Sequence, residues 1–492
     1  MGSEARQLHL FFFPLMAQGH TIPMIDIARL FAARGNKSTI ITTPLNALHI
    51  SENIDEDKKS GLEIHLETIP FPAVEAGLPE GCESVSSITS QEMVFKFFKA
   101  TDMLQQTFDM LLDEQRPDCV VADMFLPWTT DVAKKYGIPR LVFHGTSYFS
   151  LCVIASIFRY APHEKVMSDS EIFVVPGLPD KIEMKKLQLP NHGESNEKNG
   201  FTEKRAKIQE TEVSSFGVLV NSFYELEPAY AECYTKDLGR RAWSIGPVSL
   251  CNRNFIHKAQ RGMKASIDEH YCLSWLDSKE PRSVLYVSFG SLSRFGTAQL
   301  HEIAMGLEAS NIPFIWVVKM PLNKEKDQDQ ILPDGFEQRM QGKGLVIRDW
   351  APQVLILDHP AVGGFMTHCG WNSTLEGISA GLPLITWPVF AEQFNNEKLV
   401  TQVLKIGIRV GNEVWNSWIE PENVSVTKDR IEEVVTELMG KGEEAKNRRK
   451  RVSEFGEMAK KAVEKGGSSY NNLSALIEEL RAHSPQSTHM QV

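Results

Sequence analysis

An apolar run, Val362 to Thr367, breaks into His368-Cys369-Gly370-Trp371-Asn372-Ser373-Thr374 and then into a helix-forming stretch, Leu375 to Ala380. A polar, glycine-bearing turn between a strand and a helix leaves free N–H groups at the helix mouth, where the dipole favours an anion. Phosphate is the natural guest. Asn372 or Ser373 falls at or near the N-cap, and His368 carries an N–H that can donate to a phosphate oxygen. Glu376, four residues beyond Asn372, shares its side of the helix and suits a pair of sugar hydroxyls. An ordinary capped helix beside a structural histidine would read the same way. A second glycine turn, Ser288-Phe289-Gly290-Ser291, ends another strand and offers Ser291 as a further donor. Neither turn is G-x-G-x-x-G, and no G-x-x-x-x-G-K-[ST] occurs, so dinucleotide and P-loop signatures are both missing there.

Two more groups stand where strands end. His20 follows Gly19 at a strand-to-helix junction, with Thr21 and Pro23 opening the helix. Asp123 follows the strand Cys119 to Ala122. Open α/β sheets place ligands at the carboxyl ends of their strands, so both positions suit a cleft. A structural histidine and an N-cap aspartate before Pro127 are the competing readings. Spacing alone does not bring residues 103 positions apart together.

These groups need a scaffold of alternating strands and helices. Residues 7–13 form a short apolar run, helical spacing follows at Ile22, Ile25, Ala28, Leu30 and Phe31, and Thr39 to Thr43 is β-branched, a βαβ unit. Strands at 119–122 and 140–143 flank a helical segment, 127–136, and a further strand at 217–222 extends the pattern. Residues 249–281 carry linker chemistry. A second series then begins: strands at 283–289, 314–318, 345–349, 362–367 and 384–387, with a helix over 297–309. Polar inserts at 77–90, 192–212 and 320–333 read as surface loops, the second a candidate cover over a site. Helices are expected over 428–439, 443–464 and 469–482, and residues 484–492 as a frayed tail. The domain division is 1–248, linker 249–282, 283–465, and 466–492 as a helix packing back on the first domain.

Composition narrows the class. The chain has 492 residues, 42% hydrophobic and 23% charged, which falls in the globular range. Its net charge of −11 leaves no basic footprint for nucleic acid or anionic lipid. Seven widely spaced cysteines without a C-x-x-C fit neither a disulfide scaffold nor a zinc site, and a reducing compartment follows. No apolar run is long enough to cross a bilayer, and Leu8 to Ala17 lacks the basic leader of a signal peptide, so a cytoplasmic monomer is expected. No H-x-x-x-H pair occurs, and metal-independent chemistry is expected.

From Trp350 to Gln393 the sequence WAPQVLILDHPAVGGFMTHCGWNSTLEGISAGLPLITWPVFAEQ resembles the signature box of plant secondary-metabolite UDP-glycosyltransferases. The likeness extends over nearly the whole chain, including Phe13 to His20 and Phe143 to Thr146. It implies an α/β fold of GT-B type, two facing Rossmann-like domains with the active site in the interdomain cleft. It further implies that Trp350 stacks on uracil, the Ala351 backbone reads its edge, and Gln353 with Glu376 holds the ribose hydroxyls. Ser291, His368, Asn372 and Ser373 would bind the pyrophosphate, and Trp371, Glu392 and Gln393 the sugar. Glu392 stands where the family more often has Asp. Gln393 favours glucose, where galactose users tend to have His. By the same resemblance His20 and Asp123 form a catalytic dyad.

The implied reaction is inverting transfer of glucose from UDP-glucose, the co-substrate, to a hydroxyl of a hydrophobic small molecule, with no cofactor. The acceptor pocket is expected near Met16, Phe125, Thr146, Phe149 and Phe201. PLMAQGHTIPMIDIA and FAEQFNNEKLV resemble the branch acting on triterpenoids, steroids and flavonoids, with triterpenoid or steroid first and flavonoid second. A nicotinamide-dependent oxidoreductase is the rival enzyme class, opposed by the missing G-x-G-x-x-G. A UDP-sugar-binding protein without turnover is the rival outside enzymes, opposed by the intact His20 and Asp123.

Overall fold

Leu10, Phe11, Phe12 and Phe13 are all fully buried, with Phe11 and Phe13 in one apolar cluster and Leu10 and Phe12 in another. A strand buried on both faces belongs in the middle of a parallel sheet covered by helices on each side. In the computed structural model, which describes residues 6–190, 200–319, 331–417 and 424–483, this is β1 (His9–Phe13), and it sits at such a centre. β2 (Lys37–Thr42), β3 (Ile64–Thr68), β4 (Cys119–Asp123) and β5 (Arg140–Phe143) follow. β6 (Ile172–Val175) and β7 (Ile182–Lys185) form a separate antiparallel hairpin, and β8 (Gly217–Val220) and β9 (Ala242–Ser244) complete the first sheet. Its order is β3-β2-β1-β4-β5-β8-β9, parallel throughout.

The second sheet repeats the plan. It comprises β10 (Val284–Ser288), β11 (Phe314–Val318), β12 (Gly344–Arg348), β13 (Val362–Thr367), β14 (Leu384–Thr386) and β15 (Gly407–Arg409). Their order is β12-β11-β10-β13-β14-β15, again all parallel. β10 also divides its side chains between two clusters, Leu285 and Val287 on one face, Val284 and Tyr286 on the other. Both sheets reverse direction of growth beside their first strand, between β1 and β4 and between β10 and β13. Such a switch point opens a crevice at the strands' carboxyl ends.

The segment 249–281 differs from a plain linker. It contains the helices Phe255–Ala259 and Glu269–Asp277, and Cys272 and Leu276 of the latter are buried in the second sheet's core. The insert 192–212 lies outside the described residues up to 199 and is helical from Gly200 to Ser214; residues 320–330 of the third insert lie outside them too. The last described helix, Ser468–His483, sets Leu473, Leu476, Ile477 and Leu480 into the same cluster as Leu8, Leu10 and Trp243 of the first sheet. Asn472 Nδ2 donates to Ser244 O at 3.2 Å there. Among the described residues no helix is long and apolar enough to cross a membrane, and all seven cysteines are free.

Candidate active site

Asp123 ends β4 and His20 lies in the first turn of the helix after β1, Gln18–Ala32, so adjacency of β1 and β4 closes the 103-residue gap. His20 Nδ1 and Asp123 Oδ2 are 2.7 Å apart, with the carboxylate fully buried and the imidazole 23% exposed. The other Asp123 oxygen, Oδ1, accepts the Phe125 N–H at 3.0 Å. The carboxylate therefore has a set orientation, and Nδ1 is the nitrogen that donates to it, leaving Nε2 as the lone-pair nitrogen. Nε2 has no hydrogen bond among the described residues. Burial alone would lower the His20 pKa, but Asp123, by charge and hydrogen bond, and then Glu392 outweigh it and hold it above 6.5.

Across the crevice, the switch point of the second sheet carries the two glycine turns. Gly290 has φ +75°, and a Cβ there would lie 2.4 Å from the His368 ring; one on Gly370 would lie 2.4 Å from His368 Nε2. Two bare backbones thus sandwich this imidazole. Burial, then the neighbouring Lys319, pushes His368 down to about 3, so it is neutral at working pH and offers an N–H rather than a charge. Lys319 Nζ donates to Ser291 O at 2.5 Å, and its own pKa falls to about 8 through burial and then Arg294. Neither Lys319 nor Arg294 was legible as a site residue: each stands outside both turns.

The helix Trp371–Ser379 begins one residue before Asn372, with Gly370 as N-cap and no side chain capping it. Asn372 and Ser373 therefore occupy its first turn, and their N–H groups have no intrahelical acceptor. Three non-glycine residues with left-handed backbone precede site residues: Asp349 (φ 69°), Cys369 (φ 66°) and Ala391 (φ 51°). Each costs about 1 to 3 kcal/mol, a penalty sustained where the surrounding structure dictates the turn.

The group expected to hold the ribose hydroxyls is assembled from two elements. Gln353 Nε2 donates to Glu376 Oε2 at 2.7 Å and to Ser373 Oγ at 3.1 Å. Tyr286, from β10, reaches Gln353 Oε1 at 3.4 Å. Trp350 is half-buried and Ala351 buried beside them. The linker also enters: Ser266 N–H donates to Trp350 O at 2.9 Å, and Arg261 Nη1 to Glu376 Oε1 at 2.5 Å. Sequence reasoning missed both, because a run such as Gln260-Arg261-Gly262 has the polarity of a solvated loop.

The remaining expected residues make contacts within the protein. The Trp371 indole is buried, with Nε1 donating to Asn221 O of the first domain at 2.7 Å, while its backbone N–H is directed to Glu392. Asn372 Nδ2 donates to Gly19 O at 2.7 Å, one residue from His20. Gln393 Oε1 accepts the N–H groups of Val389 and Phe390 at 2.8 and 3.0 Å. Burial raises the Glu392 carboxyl against the pull of its own N–H, His20 and Asn396. Phe125 stands edge-on to His20 with centroids 5.7 Å apart, and Phe98 packs on it at 5.6 Å. Met16, just beyond β1, and Thr146, just beyond β5, are buried, Thr146 with its Oγ1 unpartnered. Phe149 is 0% exposed against Tyr230 and so lines no open wall. The side chain of Phe201 lies outside the described residues.

Two D-x-D tripeptides occur. Asp55-Glu56-Asp57 lies on a helix where Asp57 is buried against Arg29, and residues 327–329 lie outside the described ones. Among the described residues no group of three His, Cys, Asp or Glu side chains could hold a metal ion.

Two doubly wound parallel sheets, one bearing a buried His–Asp pair and the other a glycine-rich strand-to-helix turn beside a buried carboxylate, form a two-domain α/β fold of GT-B type. The model of the UDP-glucoronosyl and UDP-glucosyl transferase family matches residues 240–410. The chain is 54% identical to scopoletin glucosyltransferase of Nicotiana tabacum over 478 residues, covering 97% of this chain and 99% of that one. It is 54% identical to UDP-glucose flavonoid 3-O-glucosyltransferase 7 of Fragaria ananassa, covering 97% of each. The crystal structure of Glycyrrhiza uralensis UGT73P12 with glycyrrhetinic acid 3-O-monoglucuronide superposes with a TM-score of 0.92 at 44% identity, covering 99% of this chain and 98% of that one. The chain belongs to the UDP-glycosyltransferase family and is a UDP-dependent glycosyltransferase. The oxidoreductase and non-turnover readings end here.

Proposed function

We propose that the protein transfers glucose from UDP-glucose to a hydroxyl of a hydrophobic plant small molecule, with inversion and without a metal ion. The observation that carries this is the 2.7 Å His20–Asp123 pair at one switch point, facing an anion turn at the other. An acceptor hydroxyl is a weak nucleophile. His20 Nε2 removes its proton as the bond to the anomeric carbon forms, while Asp123 holds the tautomer and balances the imidazolium. The anomeric carbon passes through an oxocarbenium-like state, and UDP leaves. Free N–H groups of Asn372 and Ser373, the His368 N–H and the helix dipole take up the charge growing on the diphosphate. One displacement converts an α-linked donor into a β-glucoside. Trp350 and Ala351 hold the base, Gln353 and Glu376 the ribose, Ser291 the diphosphate, and Trp371, Glu392 and Gln393 the sugar.

A triterpenoid or steroid acceptor is favoured. Its support is the 0.92 TM-score with a protein crystallised with glycyrrhetinic acid 3-O-monoglucuronide, and the aromatic wall of Phe125 and Phe98 beside His20. Flavonoid or coumarin acceptors follow from the two relatives at 54% identity. The test is mass spectrometry of products from UDP-glucose with a panel of triterpenoids, steroids, flavonoids and coumarins, with matched UDP-galactose and UDP-xylose reactions. A triterpenoid or steroid product one hexose heavier, formed faster than any phenolic product, is expected. Exclusive phenolic products would overturn the acceptor order, and activity only with another donor would overturn the reading of Gln393.

A further inference from the structure

Arg261 lies in the segment that joins the two sheets, yet its side chain is only 8% exposed. Its Nε donates to Asp26 Oδ2 at 2.8 Å and its Nη1 to Glu376 Oε1 at 2.5 Å. Asp26 and Glu376 are themselves 1% and 4% exposed. Asp26 sits on the same helix as His20, and its Oδ1 is held by Asn252 Nδ2 at 2.9 Å and Arg29 Nη1 at 3.3 Å. The guanidinium therefore spans three parts of the chain, with one anchored carboxylate behind it and one functional carboxylate ahead. Gly262 lets the turn reach this far: it has φ +94°, and a Cβ there would come within 2.4 Å of the Trp350 indole and 2.9 Å of Ile22 Cδ1. Ser266 completes the contact, accepting the Trp350 N–H on Oγ at 3.2 Å.

We propose that Arg261 is a positioning residue for the donor ribose, fixing the Glu376 carboxylate through the bridge Asp26–Arg261–Glu376. This rests on the reading of Glu376 as the diol-reading group. A carboxylate offers about four acceptor positions; Arg261 takes one on Oε1 and Gln353 one on Oε2, and each oxygen keeps one for a ribose hydroxyl. Two fixed donors on opposite oxygens leave the carboxylate plane no freedom, so the remaining lone pairs point at one place. A lysine cannot replace this fork, because its single nitrogen does not reach both carboxylates with set geometry.

The test compares affinities for UDP and 2′-deoxy-UDP by calorimetry on the full chain, for the native protein and for Arg261→Met, Arg261→Lys and Glu376→Gln, with melting temperatures alongside. The native protein prefers UDP; in Arg261→Met that preference falls about tenfold, the loss expected when a charge-assisted contact no longer orients the acceptor. Arg261→Lys, which keeps a positive charge at the site, loses part of it and serves where the methionine variant does not fold. Either folded Arg261 variant keeping the native preference, or weakening both nucleotides equally, overturns the proposal. Glu376→Gln keeping the preference is a different failure, because then Glu376 does not read the ribose and the proposal falls with it.

Discussion

Replacing Asp123 by Asn changes one atom and reverses a hydrogen bond. In the native protein Oδ1 accepts the Phe125 N–H at 3.0 Å and Oδ2 faces His20 Nδ1 at 2.7 Å. An asparagine in this fully buried place must keep its oxygen on the Phe125 N–H, so its NH2 turns to His20. Nδ1 then becomes an acceptor, the proton moves to Nε2, and the nitrogen that would take the acceptor's proton no longer has a lone pair. General-base assistance contributes about 10² to 10⁴ in rate. At about 1.36 kcal/mol per factor of ten, Asp123→Asn is expected to raise the barrier by about 2.7 to 5.4 kcal/mol. The KM for UDP-glucose should stay within about threefold, because Asp123 touches no donor residue. The pH profile supplies an independent check. A neutral imidazole is the active form, so the rate rises with pH through the His20 pKa, and in the native protein that limb lies above 6.5 because Asp123 and Glu392 raise it against burial. Without the Asp123 charge the burial contribution prevails and residual activity should titrate at lower pH. A kcat within about threefold of native would refute the dyad, as would a limb that moves upward.

Three further outcomes follow from the geometry. Raising the pH through about 8 should weaken UDP binding, because Lys319 then loses the charge it holds beside Ser291 and His368; calorimetry should find this dependence gone in Lys319→Met. Gly290→Ala puts a methyl 2.4 Å from the His368 ring at a left-handed φ, and should weaken UDP-glucose binding by about 1 to 3 kcal/mol with kcat less affected, read from KM and direct titration. Trp371→Phe removes the 2.7 Å bond to Asn221 O and leaves a buried carbonyl unpaired, so the melting temperature should fall, with a cost of about 1 to 3 kcal/mol by denaturant titration.

What the sequence discloses depends on how far apart the cooperating residues lie. The box from Trp350 to Gln393 is legible because its turn, helix and carboxylate are contiguous, and the strands Phe314–Val318 and Val362–Thr367 match their expected bounds because both are buried on two faces. The three-residue strands β9 and β15 and the β6–β7 hairpin carry too few residues to stand out by period. Asn372 was readable at a helix mouth and Trp371 through the resemblance, but their partners, Gly19 and Asn221, belong to the other sheet's loops. Arg261 was hidden for the same reason. Its carboxylates are 235 and 115 residues away, and nothing local distinguishes a buried bridging arginine from a solvated one.

The two histidines of the cleft are driven in opposite directions by their surroundings, and that separation suits the roles proposed for them. His20 has a buried carboxylate at 2.7 Å and a second acid, Glu392, in range, so its protonated form is stabilised and it can accept a proton during transfer. His368 is packed between Gly290 and Gly370 with a cation, Lys319, as its charged neighbour; burial and that charge take it to about 3. It stays neutral and offers the diphosphate an N–H without a charge. In the proposed reaction the charge that meets the departing diphosphate comes from Lys319 and the open first turn of the Trp371–Ser379 helix, while the proton goes to His20. Asn372 joins these sides, its backbone N–H in the first turn of that helix and its side chain on Gly19 O, so the helix proposed to hold the leaving group also braces the turn that carries His20.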